Sequence, residues 1–307
     1  MRSHGEVMRQ WGAVAALSLL TPVLAGAAAA APGPEAQAAH YALVAWSAAM
    51  AGHKAQALAA VQNLHSADSG WDLTEQYAVL VRFGLWDELL ALPAPDPRAR
   101  ALTAGYLYAR GVALAARGRA DDARAVLQAL QHLAATTPPE ARAGTNSLAA
   151  VMRVAIPIVE ARIASTEHRP DAAVTLLRQA VAAQDELDLS EPPDWFFPAR
   201  HLLGAELLQA GKAAQAAGVY REDLKRNPGN GWALYGLAAA LRAQGKSAAA
   251  ARTADLFRVA WKSADVRLPG SAFWFAGPDT TSCECQHEPA ALPPAGVKLR
   301  RPQQQAP

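Results

Sequence analysis

The sequence predicts an all-α protein, an α-solenoid of stacked helix pairs, and three observations carry that expectation. About a quarter of the 307 residues are alanine, the strongest helix former and a poor filler of sheets. Hydrophobic residues make up 51% of the chain, with only 7% aromatic and 18% charged, too apolar for a disordered polymer. The chain also repeats itself at an interval of 34 residues between 197 and 264, and such an interval marks a repeat array that can run this long as one body.

Taken in chain order, the N-terminus reads as an export signal over residues 1–27. Arg2 and Arg9 precede an apolar stretch from Trp11 to Ala31, and Ala25-Gly26-Ala27 supplies small residues for cleavage before Ala28. Two alternatives stay open: translation starting at Met8, and an uncleaved anchor in the inner membrane, for which Pro22 and the alanine-rich second half are poor material. Neither a cysteine for lipid attachment nor a twin-arginine pair accompanies the stretch. The whole chain carries +2, and removing Arg2, Arg9 and Glu6 leaves it close to neutral. Nothing in that balance steers it to a nucleic acid or an anionic membrane surface.

Residues 35–263 read as the helical repeat domain. Leu203, Leu207, Gly211, Lys212, Ala216 and Ala217 align with Leu237, Leu241, Gly245, Lys246, Ala250 and Ala251. Gly204 and Ala216 fall where paired helices must approach, Tyr220 and Leu207 fill the space beyond, Gly211 ends the first helix, and Pro228 stops the second. Weaker copies of the frame lie at 38–71, 70–92, 104–137 and 154–187, making six helical pairs or near-pairs. Ala91–Pro97 and Thr136–Glu140 are the expected joints, and no strands are expected. The residues Leu203, Gly204, Leu207, Ala216, Tyr220 and Pro228 resemble the tetratricopeptide repeat (TPR), with Arg200 in place of its usual tryptophan. The resemblance implies a right-handed superhelix of TPR-like helix pairs.

Longer stretches resemble one group within that class. Val81–Pro95, Glu191–Arg200, Tyr220–Leu224, Asn227–Trp232 and Trp261–Val266 are together similar to the C-terminal half of longer bacterial TPR proteins of unassigned function, over about residues 40–274. A histidine-bearing helical region that precedes this part in that group is missing, with His40 as its last remnant, so no activity housed there is carried over.

Residues 264–307 read as an extended, disordered tail, rich in proline and glutamine towards its end. Cys283, Cys285 and His287 lie there; a metal contact or a disulfide is the sharper reading and incidental tail residues the preferred one.

The candidate sites follow from the frame. No catalytic residue, cofactor or metal is expected, because the histidines are scattered and the acidic pairs Asp121-Asp122 and Glu222-Asp223 read as solvated helix faces. First helices of such pairs line a concave groove, which places Trp46, Tyr108, His201, Tyr235 and Arg242 there as a surface for a protein or peptide partner. Packing between repeats is the competing reading for Trp46 and Tyr108. The Lys/Asn clamp that chaperone-binding repeats use is absent. In Glu191–Arg200, Asp194 is expected to cap a helix, with Trp195-Phe196-Phe197 packed on the seam of the preceding pair.

The expected function is therefore a non-enzymatic scaffold that binds a protein or peptide in the bacterial cell envelope, periplasmic or secreted. The alternative is the supporting half of a truncated enzyme or sensor. Metal handling by the tail is a third and weaker reading.

Overall fold

Among the described residues, short turns join the helices in six antiparallel pairs. The computed structural model describes residues 33–66 and 74–275; the expected signal segment and Cys283, Cys285 and His287 lie outside the described residues. The pairs are α1 (Pro34–Ala51) with α2 (Lys54–Ser66), α3 (Thr74–Arg82) with α4 (Trp86–Ala91), and α5 (Arg100–Ala116) with α6 (Ala120–Ala135). They continue with α7 (Leu148–Thr166) and α8 (Pro170–Asp185), α9 (Ala199–Gln209) and α10 (Ala213–Arg226), and α11 (Gly231–Ala243) and α12 (Ser247–Ala260). Among the described residues the fold is all-α apart from a two-residue antiparallel ladder, β1 (Arg142–Ala143) with β2 (Asn146–Ser147). That hairpin corrects the expectation of no strands and lies just beyond the expected joint at 136–140.

One backbone device ends the first helix of each pair. At Gly211 the chain turns left-handed (φ 73°), and Lys212 N–H donates to Leu207 O at 2.8 Å, the six-to-one bond that satisfies an orphan carbonyl at a helix end. The same bond recurs from Arg119 to Leu114 and from Lys246 to Leu241. At the fourth turn the left-handed residue is His168 (φ 59°), the one non-glycine with positive φ among the described residues.

Alanine works by bringing helices together. Ala38, Ala42, Ala45 and Ala49, at helical spacing along α1, are all fully buried. Tyr220 shows how tight the approach becomes: a Cβ added at Gly204 on α9 or at Gly236 on α11 would lie 2.3 or 2.2 Å from its ring. The ring is clasped between two bare backbones, at Gly204 and Gly236.

First helices also touch across pairs, α1 on α3, α3 on α5, α5 on α7 and α9 on α11, and the series returns to its start because α11 packs against α1. Trp261, at the end of α12, makes the closure. Its ring covers both Gly52 and Gly231, where any Cβ would come within 2.3 and 2.2 Å, and stands edge-on to Trp232 at 5.4 Å. Trp232 Nε1–H donates to Ala49 O at 3.2 Å. Asp265 then accepts from Lys54 N–H at 2.5 Å and Ala55 N–H at 2.9 Å. A carboxylate some 210 residues away thus satisfies the orphan donors that open α2.

Residues 264–272, expected to begin a disordered tail, run without α-helix into a 3-10 turn, Phe273–Phe275, and pack from Leu268 to Trp274. Leu268, Ser271, Ala272, Phe273 and Trp274 are buried. Tyr220 O–H donates to Ser271 Oγ at 2.6 Å, and Ser271 O–H passes a hydrogen bond on to the backbone carbonyl of His201 at 2.9 Å. Trp274 Nε1–H donates to Glu206 Oε2 at 3.1 Å. The segment follows the first helices inward because its aromatic side chains find a dry seat there, which a count of prolines and glutamines further along did not reveal.

Two substitutions test this account. Asp265→Ala removes the remote cap and is expected to lower stability by about 1 kcal/mol, read as a shift in the urea midpoint. His168→Gly relieves the left-handed strain and is expected to raise stability by about 0.5–1 kcal/mol, read as a higher thermal midpoint at unchanged helicity.

Candidate functional site

Helix α3 carries two charged residues on its inward face. Glu75, Tyr77, Val79, Leu80 and Arg82 are all buried, so the helix sends a carboxylate and a guanidinium into the interior about two turns apart. The guanidinium carbon of Arg82 sits 3.6 Å from the centroid of the Trp232 ring and 4.7 Å from that of Phe197. Its Nη1 and Nη2 donate to His201 Nδ1 at 3.1 and 3.2 Å. That bond leaves Nδ1 unprotonated, so His201 Nε2–H donates to Asp223 Oδ2 at 2.9 Å. Asn227 Nδ2–H also donates to Asp223, at 3.1 Å.

The result is a buried relay, Arg82 to His201 to Asp223, joining α3, α9 and α10. Burial pulls Arg82 down to about 9, with Asp223 and Tyr108 opposing. Burial likewise holds the His201 ring below its ordinary value, against the pull of Asp223. Burial would raise Asp223, but His201, Asn227 and Arg200 together hold its carboxyl below the usual range. A buried charge is tolerated when it is paired and hydrogen-bonded, and here the pairing runs through a neutral imidazole.

Beside the relay lies a cavity of about 540 Å³. Its walls come from α3, α5, the first half of α7, the loop 190–198 and residues 272–274. Most are apolar: Val81, Ala104, Val151, Met152, Trp195, Phe197 and Trp274 among them. The polar lining includes Arg82, Glu75 and Tyr108 from the helices and Thr145, Ser190, Glu191 and Asp194 from the hairpin and the loop. Tyr108 meets Trp195 edge-on at 4.9 Å, and burial raises its hydroxyl above the ordinary tyrosine value, with Arg82 opposing.

The loop wall is held by Asp194, which caps no helix: α9 starts five residues later, after Pro198. The carboxylate instead accepts from Thr145 Oγ1–H at 2.8 Å, Asn146 N–H at 2.9 Å and Asn146 Nδ2–H at 2.7 Å. It thereby ties the loop to the β1–β2 hairpin. Of the aromatic run, Phe196 is buried while Trp195 and Phe197 are half-buried and face the cavity.

The expected groove residues part company. His201 is fully buried and Tyr235 nearly so, the latter packed edge-on against Phe257 at 5.3 Å; neither faces an open groove. Polarity at a first-helix position did not mean exposure, because Arg82 and Asp223 arrive from elsewhere to satisfy the imidazole. Asp223, expected on a solvated face, is buried for the same reason. Trp46 is half-buried and packs against the core, away from the cavity lining. Arg242 is half-buried near Tyr235, whose hydroxyl it influences. Only Tyr108 of the five lines the cavity. Arg82, Glu75 and Trp274 escaped the sequence reading; the available signal was a charged pair on the buried stripe of the short helix α3.

Among the described residues the His201 imidazole is hydrogen-bonded by Arg82 and Asp223, and the Ser271 hydroxyl reaches only its backbone carbonyl. No cluster of three or more His, Cys, Asp or Glu able to hold a metal occurs among the described residues. No family model, no curated protein and no solved structure matches the chain.

The relay gives a pH signature. The unfolded chain takes up a proton on His201 below about pH 6.5, where the folded ring stays neutral, so stability falls as pH drops through that range. The slope contributed by this one group reaches at most about 1.4 kcal/mol per pH unit. His201→Gln keeps an acceptor for Arg82 and a donor for Asp223, and urea midpoints between pH 7 and 5 should show that contribution gone. His201→Ala leaves both charges stranded and is expected to cost about 3–5 kcal/mol.

Proposed function

We propose that the chain is a non-enzymatic, TPR-like repeat scaffold that acts by binding, and that what it binds enters the cavity beside Arg82. The cavity carries this reading. Its volume of about 540 Å³ falls within the roughly 300–1,000 Å³ of small-molecule sites, which are likewise mostly apolar with a few placed polar groups. Five left-handed glycine turns with His168 at the remaining one, the period of 34 and the clasp of Gly204 on Tyr220 support the TPR-like assignment.

A peptide lying along the first helices, one of the expected partners, would compete with residues 268–274, which pack against α7 and α9 there. A protein partner is accommodated in this reading by reaching the cavity mouth rather than by threading the array. Export to the cell envelope rests on residues 1–27 alone. No described helix is long and apolar enough to cross a membrane.

Val151 lines the cavity from α7 and is half-buried, so Val151→Trp fills the space from its edge. Native mass spectrometry of the protein taken from its own envelope should show a bound species that Val151→Trp lacks, with unchanged helical circular dichroism. Equal retention by the variant removes the cavity from the function.

A further inference from the structure

The relay leaves part of Arg82 unused. Both terminal nitrogens serve one neutral acceptor, His201 Nδ1, and the Nε–H has no acceptor among the described residues. The cation is balanced by Asp223 only across the width of the imidazole. Tyr108, which lines the same cavity within electrostatic reach of Arg82, donates to no described acceptor and makes only its ring contact with Trp195. Arg82 thus holds a buried donor without an acceptor, which calls for a partner, and the half-buried Tyr108 hydroxyl stands at the same cavity. Three carboxylates also border the cavity, Glu75, Glu191 and Asp194: Glu75 is already engaged and lies about two helical turns along α3 from Arg82, Asp194 accepts from Thr145 and Asn146, and Glu191 is exposed on the loop. The lining next to these donors is aromatic: Phe197 lies against Arg82, Trp195 against Tyr108, and Trp274 also borders the cavity.

We propose that the cavity binds a small aromatic or polycyclic monocarboxylic acid, its rings against Trp195 and Trp274 and its carboxylate taken by Arg82 and Tyr108. Guanidinium and carboxylate match in shape and charge, and the pairing strengthens in a site walled from water. Ring faces stack on the indoles, which gives the body of the ligand its contact area. A free acid fits better than a chain end, because the loop 190–198 and residues 272–274 form part of the wall. This rests on the reading of the chain as a binding scaffold with its site in the cavity.

The test uses the full chain and 1-pyrenebutyrate, with its neutral counterpart 1-pyrenebutanol, followed by pyrene anisotropy. The acid is expected to saturate one site and the alcohol to bind about tenfold more weakly, as the loss of a charge-assisted hydrogen bond implies. Tyr108→Phe should weaken the acid by about tenfold and leave the alcohol within about twofold, while Val151→Trp abolishes binding of both. Tyr108→Phe keeps the ring and its contact with Trp195, so the fold survives the change, and Arg82 itself is left in place because the relay depends on it. Equal affinity for acid and alcohol overturns the carboxylate assignment. So does the absence of saturable acid binding, and acid binding that survives Val151→Trp overturns the location. Tighter binding of acetyl-Gly-Gly-Phe than of pyrenebutyrate overturns the free acid in favour of a peptide end. If the acid fails while Val151→Trp still strips the species found by native mass spectrometry, the scaffold reading stands and only the ligand class falls.

Discussion

Arg82 is the constraint around which the rest of this structure is arranged. A guanidinium removed from water has to be compensated on every side, and the compensation comes from four places in the chain: His201 on α9, Asp223 behind it on α10, the Trp232 face on α11 and Phe197 in the loop before α9. Satisfying one charge therefore pins the second, fifth and sixth helical pairs to a common point. The same compensation leaves His201 neutral and inaccessible, and sets the polar corner of the cavity.

Closure of the array acts with that centre. Trp261 can cover Gly52 and Gly231 only because neither has a side chain, and once it does so Asp265 reaches the opening donors of α2. The chain then turns inward, and Ser271, Phe273 and Trp274 fill what an open array would offer as a groove. The space not filled is the cavity. Its wall is completed by a loop that Asp194 holds to a two-residue hairpin, so the site is bounded by irregular backbone on one side and rigid helices on the other. That division suits a binding site, since the helices fix Arg82 and Tyr108 while the loop sets the shape.

The polar groups near the centre show why residue type is a weak guide to exposure. His201 and Asp223 each look like surface residues when read along their own helix. They are buried as members of a set whose third member lies 119 residues from His201 in sequence. Arg162 and Glu206 form a second such set beneath Trp274: the guanidinium carbon of Arg162 is 5.2 Å from that ring, and Glu206 accepts from its indole N–H. Burial pulls Arg162 down to about 10 and pushes Glu206 up, each opposed by the other.

By itself the sequence determined what is local. Alanine content and the period of 34 specify helices that pair closely; Gly211, Gly245 and their equivalents specify where each pair turns; Gly204 and Tyr220 specify how near the backbones come. These are contacts within a helix or between neighbours, and their spacing is written in consecutive residues. Tertiary structure alone decided the rest: that α11 returns to α1, that Asp265 caps α2, that residues 268–274 run inward, and that His201 meets Arg82. Each of these joins residues some 70 to 210 positions apart, where no periodicity links the partners and only the folded geometry brings a cation, an imidazole and a carboxylate within bonding distance. The candidate site is made of such contacts, which is why Tyr108 was legible as a lining residue and Arg82 was not.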